Sequence, residues 1–329
     1  MKAAVIGSGN MGTALACLLA ENGWKVTCWD HIPQVVEDIN RNHRNGRFLP
    51  GIELHPSIQG EMLLDRAVHE SSLVVTAVPS PYFRNVISGC VPFLKADAVL
   101  LNSAKGLEPK TCMRLSKVFG EVMQQDGPRF VALGGPSVAT EFARKRQTSV
   151  VMASDSEPAR QKAALALTTP YFKVETSSDV MGVECGGVLK NVYAIGLGIL
   201  DGLGLGGTNL KGAFTAASLK EMKRFVKALG ADPNSMDGLA GLGDLVAAGF
   251  SPDSHNRGLG EAIGRGKDFE DALDLFGGSM PEGVRAASRI VELAAKYGVE
   301  VPIAEAVEGM LKNPGHARPK FLAHIWKVC

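Results

Sequence analysis

Along the first half of the chain, compact apolar runs alternate with segments whose apolar residues recur at helical spacing. Residues 3–6 form an apolar run that ends in glycine, residues 13–22 carry a helical pattern, and residues 25–29 make a second strand. Residues 73–78 are apolar and rich in β-branched side chains, and Pro79 and Pro81 stop them. Residues 98–101, 130–133, 149–152 and 172–175 read as further strands. Continuous rather than alternating apolar runs are what a parallel sheet covered on both faces requires. Strands separated by helix-length segments imply βαβ units with right-handed crossovers.

The texture changes near residue 180. Beyond it the patterns are helical, as at 187–200, 215–229, 286–297 and 304–311, and glycine- and proline-rich clusters at 202–207 and 277–283 separate them. The polar stretch 176–179 marks the boundary. The expected fold is α/β followed by all-α. A Rossmann-type, doubly wound parallel sheet spans residues 1–178, and an all-helical domain spans 179–329.

Composition narrows the function classes. The chain has 329 residues, 45% hydrophobic and 21% charged, ordinary values for a globular protein with a sizeable core. Lys+Arg 35 against Asp+Glu 34 leaves a net charge of +1, so no whole-chain field draws nucleic acid or an acidic membrane. The short basic cluster Arg144-Lys145-Arg146 reads as a solvated helix face. Six cysteines (17, 28, 90, 112, 185 and 329) show no paired spacing, which suits reduced thiols in the cytoplasm rather than a disulfide frame. The histidines form no metal-ligand motif, and no metal is expected. The N-terminal apolar run is too short for a signal peptide, and the stretch 192–205 is too short to span a bilayer. Glycine is the one excess, at 38 residues without a period, which points to tight turns and close backbone approaches.

Gly7-Ser8-Gly9-Asn10-Met11-Gly12 matches G-x-G-x-x-G, a weak pattern alone but here directly after a strand and at the opening of a helix. Gly7 makes the tight turn, Gly9 lets the backbone approach a pyrophosphate, and Gly12 lets helix pack on strand. The helix N-terminus offers free N–H groups to the phosphates. Asp30 ends the next strand, where a carboxylate accepts hydrogen bonds from ribose hydroxyls and repels a 2′-phosphate. NAD is therefore the expected cofactor, with NADP second. The structural alternative is that Asp30 only begins the loop that continues into His31.

Lys190 opens an almost wholly apolar helix in Gly186-Gly187-Val188-Leu189-Lys190-Asn191. A lysine there either snorkels to the surface or serves as a proton carrier, since burial lowers a lysine pKa toward neutrality. Asp244 is the one carboxylate in the glycine-rich run Gly238-Leu239-Ala240-Gly241-Leu242-Gly243-Asp244-Leu245. Lys105 and Gly134-Gly135-Pro136-Ser137 each follow a strand end, where ligands bind in open α/β sheets. Lysine and carboxylate groups around a nicotinamide suit reversible ketone reduction.

In this order and spacing, these blocks resemble the NAD(P)-dependent glycerol-3-phosphate dehydrogenases, the bacterial type in particular. The similarity includes Val78-Pro79-Ser80, Ala104-Lys105-Gly106, Gly135-Pro136-Ser137-x-Ala139-x-Glu141, Glu221-Met222, Ser254-x-Asn256 and Glu282-Gly283. The resemblance implies a hydride transfer between sn-glycerol 3-phosphate and dihydroxyacetone phosphate that supplies phospholipid synthesis. It implies that Lys190 transfers the proton, with Asp244 and Lys105 beside it in a cleft between the domains. Lys105, Gly135, Ser137, Lys190, Asp244, Ser254, His255 and Asn256 match substrate contacts. Asn10, Met11, His31, Pro79, Lys105, Ala139 and Glu282 match cofactor contacts, with Gly7, Gly9, Gly12 and Asp30. A homodimer is compatible with the apolar helical half.

Three departures fall in the substrate region. His255 stands where the family carries arginine, a bidentate phosphate ligand. The stretch around Ala217 lacks a second arginine, and Ala248 lies where a threonine is expected. Arg257, two residues past His255, reads as solvated or cofactor-facing. The departures leave open a different small hydroxy substrate, or a catalytically silent NAD-binding sensor.

Overall fold

The computed structural model describes residues 1–123, 129–276 and 280–328, so positions 277–279 of the glycine cluster and Cys329 lie outside the described residues. The chain divides into two compact units, Met1–Val180 and Met181–Cys329.

The first unit contains β1 (Lys2–Ile6), α1 (Asn10–Glu21), β2 (Lys25–Trp29), α2 (Pro33–Asn42), β3 (Ile58–Glu61), α3 (Leu64–Val68), β4 (Leu73–Thr76), α4 (Phe83–Cys90), β5 (Val99–Asn102), α5 (Leu115–Met123), β6 (Arg129–Gly134), α6 (Ala139–Phe142), β7 (Thr148–Ala153), α7 (Glu157–Leu167) and β8 (Phe172–Ser177). The strands form one sheet in the order β3-β2-β1-β4-β5-β6-β7-β8. In β1, Ala3 and Val5 face one core with Leu15, Leu18 and Leu19, while Ala4 and Ile6 face another with Val68 and Cys90. Both faces are covered, which is why the run is continuous in the sequence. Burying each of those leucines stabilises the unit by about 1.5–3 kcal/mol.

The structure departs from the sequence reading in two places. The four-residue edge strand β3 pairs parallel with β2 and was not foreseen, because only Ile58 of it is buried. The second departure concerns direction. A fully parallel sheet is expected, yet β7 runs antiparallel to β6. The connection between them holds only the four-residue α6, which is too short a helix to carry a parallel crossover.

β1 lies between β2 and β4, where the strand order reverses. In such sheets the crevice beyond the strand C-termini at that point is where a ligand fits. Gly7, after β1, and Val78, after β4, meet there: an ideal Cβ on Gly7 would lie 2.9 Å from Val78 Cγ1.

The second unit is helical: α8 (Val180–Gly202), α9 (Thr208–Ala228), α10 (Asp244–Phe250), α11 (His255–Gly264), α12 (Phe269–Asp274), α13 (Glu282–Tyr297), α14 (Pro302–Lys312) and α15 (Pro314–Val328). α8 is long and apolar enough to cross a membrane, but 89% of its most apolar window is buried inside the protein. Glu221 of α9 caps α14 from outside, accepting from Ile303 N–H and Ala304 N–H, both at 2.9 Å, and from Tyr193 O–H at 3.1 Å. Burial pushes its carboxyl above the usual range, and these three donors hold it partly down.

Candidate functional site

In the first unit, the glycine motif adopts the geometry its spacing requires. Gly7 has φ +98°, a left-handed conformation that disfavours any side chain, and its N–H donates to Trp29 O at 3.0 Å. An ideal Cβ on Gly12 would sit 1.9 Å from Gly7 O, so only glycine lets α1 start this close to β1. Around Gly9 nothing lies within 4 Å of such an atom. That open space beside free N–H groups at the start of α1 fits a dinucleotide pyrophosphate. Asn10 is exposed and Met11 half-buried in the first helical turn, and Pro79 is exposed beyond β4. Ala139 is buried at the first position of α6.

Asp30 follows β2 directly and is held by backbone donors. It is 5% exposed, and its Oδ2 accepts from Ser8 N–H at 2.9 Å while Oδ1 accepts from Ile32 N–H at 3.0 Å. His31 Nδ1 lies 3.4 Å from Oδ1, on a largely exposed ring.

Lys105, Gly135 and Ser137 do come together. Lys105 Nζ donates to Gly135 O at 2.6 Å and to Ser137 Oγ at 3.1 Å, and Ser137 Oγ donates to Gly135 O at 3.0 Å. Gly135 has φ +96°, which turns the chain sharply after β6. The half-buried ammonium sits beyond β5 and β6, where an anionic or carbonyl ligand can share it.

A neighbouring ion pair went unforeseen. Arg84 of α4 grips Glu108 through Nε–Oε1 at 2.5 Å and Nη2–Oε2 at 2.9 Å, and reaches Glu121 of α5 at 2.7 Å. Glu108 also accepts from the Thr111 hydroxyl. The Arg84 guanidinium holds the Glu108 carboxyl below its usual range. The pair ties the segment just after Lys105 to the helix that follows Pro79. Glu108→Gln keeps the size and removes the charge, and steady-state kinetics should show about a tenfold loss in kcat/KM at unchanged cofactor affinity. An effect under twofold would mean that Lys105 needs no such support.

In the second unit, Lys190 Nζ lies 3.1 Å from Asp244 Oδ1, with side chains 14% and 3% exposed. The glycines around them produce this pairing. An ideal Cβ on Gly186 would lie 2.3 Å from Ala240 O, so the π-helical turn Leu239–Gly243 rests directly on the backbone of α8. Lys190 follows Gly186 by one helical turn on the same face, and Asp244 follows the turn it contacts. The lysine does not snorkel.

A second chain of contacts runs from Asn191. Its Nδ2 donates to Gly187 O at 3.2 Å, its Oδ1 accepts from Asn256 Nδ2 at 3.0 Å, and Asn256 Oδ1 accepts from Gly283 N–H at 3.0 Å. Asn256 is thereby fixed beside Glu282, which begins α13. Asn191 was read only as part of a motif, since a buried amide leaves no periodic signal.

Three neighbours lie at the start of α11. Ser254 Oγ caps α11, accepting from Arg257 N–H at 3.3 Å. His255 is exposed, and its ring lies 5.3 Å from that of Phe276. Arg257 is neither solvated nor free. It is 18% exposed and pairs with Asp201 at 2.7 Å and Glu261 at 3.1 Å, while Lys211 holds the same aspartate at 3.0 Å. Ala248 is buried on α10 and Ala217 half-buried on α9. Among the described residues no group of three or more His, Cys, Asp or Glu is placed to hold a metal.

Comparison with known proteins agrees over both units. The family model for the NAD-dependent glycerol-3-phosphate dehydrogenase N-terminus matches residues 2–160, and that for its C-terminus matches residues 179–319. A glycerol-3-phosphate dehydrogenase [NAD(P)+] of Citrifermentans bemidjiense is 40% identical over 322 residues, covering 98% of this chain and 96% of that protein. The corresponding protein of Thermobifida fusca is 39% identical, covering 99% and 98%. The solved glycerol-3-phosphate dehydrogenase of Coxiella burnetii superposes with a TM-score of 0.90 at 32% identity, covering 98% of each chain. With a Rossmann-type unit that holds NAD(P) and a helical unit that carries the lysine–aspartate pair, the chain belongs to the NAD-dependent glycerol-3-phosphate dehydrogenase family.

Proposed function

We propose that this protein catalyses the reversible reduction of dihydroxyacetone phosphate to sn-glycerol 3-phosphate, using NAD(H) or NADP(H). The observation that carries the reading is the buried Lys190–Asp244 pair, at 3.1 Å. The nicotinamide, when bound, supplies or accepts the hydride. In the reducing direction a C–H bond forms at the carbonyl carbon, and the carbonyl oxygen takes a proton from Lys190 Nζ to become the hydroxyl. Water then restores the lysine proton. In the oxidising direction Lys190 Nζ accepts that proton. Asp244 Oδ1 holds the ammonium in one place, so orientation is set before substrate arrives.

The remaining residues bind. Lys105, with Ser137 and Gly135, presents a cation and a hydroxyl to substrate oxygens. Asn256, held by Asn191, and Ser254 and His255 at the start of α11 complete the substrate contacts. Gly7, Gly9, Asn10, Met11 and Gly12 receive the pyrophosphate, while Pro79, Ala139, His31 and Glu282 flank the cofactor. Asp30 stands behind the turn that receives the pyrophosphate, accepting from Ser8 N–H and Ile32 N–H. None of the five described cysteines is in a disulfide, and burial pushes the Cys17 thiol up to about 11 and that of Cys90 up to about 12. Unreactive thiols fit a reducing compartment such as the cytoplasm.

The test is loss of NADH absorbance on adding dihydroxyacetone phosphate. Absence of turnover, with faster reduction of a non-phosphorylated ketone, would overturn the substrate assignment. His255→Arg adds a permanent bidentate cation where the family carries one. It should lower KM for dihydroxyacetone phosphate on the order of tenfold; a higher KM would remove position 255 from the phosphate contacts.

A further inference from the structure

Ser8, between the first two motif glycines, has all of its polar atoms tied to other residues. Its N–H donates to Asp30 Oδ2 at 2.9 Å, and its Oγ donates to Trp29 O at 3.1 Å. Its carbonyl accepts from Asn45 Nδ2 at 2.7 Å and from Thr13 Oγ1 at 3.1 Å. Asn45 Nδ2 also donates to Thr13 Oγ1 at 2.9 Å, closing the set. Ser8 is 0% exposed, Thr13 1%, Asn45 1% and Asp30 5%. Asn45 comes from the loop after α2, which its own Oδ1 steadies by accepting from Phe48 N–H at 3.3 Å.

We propose that Asp30, Asn45 and Thr13 form a clamp that fixes the phosphate-binding turn in its binding shape, and that Asp30 acts on the cofactor through Ser8 rather than by reading the ribose. A loop already held in one geometry loses less conformational entropy when a ligand arrives. Each Asp30 oxygen accepts a backbone N–H group within the protein, so the carboxylate is first a splint for the turn. It links the end of β2, the glycine turn and the start of α2. Asn45 ties the loop after α2 to the Ser8 carbonyl and to Thr13 of α1. These are positioning residues, and the clamp rests on the family's NAD(P) site for its purpose but not for its geometry.

The two roles of Asp30 predict different cofactor ratios. Asp30→Asn is isosteric, and its amide nitrogen must face one of the two N–H groups, so one bond is lost. Under the clamp, NADH and NADPH affinities measured by calorimetry without substrate should both fall about tenfold, at an unchanged ratio. Asn45→Asp, which sets an oxygen against Ser8 O and Thr13 Oγ1, should weaken both cofactors equally. Thr13→Val should weaken both moderately, and Thr13→Ser, which keeps the hydroxyl, should restore them. Hydrogen exchange in cofactor-free protein should be faster at Gly9 and Asn10 in the weakened variants while the sheet amides stay protected. This last readout stands even if the unaltered protein binds neither cofactor, a result that would sink the family's cofactor assignment instead. Loss of NADH affinity alone, with NADPH unchanged or tighter, would return Asp30 to the ribose. Unaltered exchange and affinities within twofold in Asn45→Asp and Thr13→Val would overturn the clamp.

Discussion

Lys190→Ala should lower turnover by at least about 100-fold, the usual effect of losing a general acid–base group, while cofactor affinity stays within a few-fold. The lysine lies on α8 of the second unit and the glycine turn in the first, which is why binding and chemistry should separate. The substitution also has a structural cost. It removes the ammonium from a carboxylate that is 3% exposed, and breaking a buried pair from one side costs about 3–5 kcal/mol. A loss of activity could then reflect partial unfolding, so the informative partner is Lys190→Arg. Guanidinium keeps the charge beside Asp244 but does not give up its proton in proteins. Lys190→Arg should therefore recover most of the melting temperature of the unaltered protein and little of its turnover. Recovery of both would make position 190 a fixed cation and leave the proton to another group.

Legibility in the sequence followed how local each interaction is. β1, β4 and β5 were readable because burial on both faces writes a continuous apolar run, which needs no knowledge of the neighbours. Such a run reads the same whichever way the strand points, so the reversal of β7 was invisible. The glycine motif was readable because turn, phosphate approach and helix packing all fall within six residues. The Lys190 and Asp244 segments each stood out, a lysine and a carboxylate in apolar surroundings, but their meeting at 3.1 Å depends on Gly186 and the turn it accommodates. Arg84 on α4, and Glu108 and Asn45 in loops, were missed because a single charged or amide residue looks solvated until its distant partner is known. Asp30 was seen, yet its burial against Ser8 was not, since the strand-end position fits a ribose ligand equally well. Arg257 shows the same limit. Its partner Asp201 lies 56 residues away, and no local pattern links them.

Gly260→Ala should destabilise the protein although it improves the local helix propensity. Glycine in a helix interior is about 1 kcal/mol less favourable than alanine, and at Gly212 on α9, with nothing within 4 Å of an ideal Cβ, that gain should appear in full. At Gly260 the same atom would lie 2.0 Å from Ile195 O, on α8. The contact is reciprocal: atoms added at Gly198 and Gly202 would lie 1.9 Å and 2.1 Å from Arg257 O and Glu261 O on α11, and one at Gly264 would lie 2.5 Å from Ile199 O. Each helix thus carries a pair of glycines four residues apart, and each pair receives the other helix's backbone. Neither backbone can yield as a side chain would, so the helices must part. Overpacking of this kind costs about 1–3 kcal/mol or more, enough to outweigh the propensity gain. Parting would also draw Asn256 on α11 away from Asn191 on α8, now joined at 3.0 Å, so substrate KM should rise with the loss of stability. The check is thermal unfolding of the two variants side by side. Gly212→Ala should melt at or slightly above the unaltered protein, and Gly260→Ala several degrees below it. Equal melting temperatures would mean that α8 and α11 separate at no cost, and that the glycines serve something other than their contact.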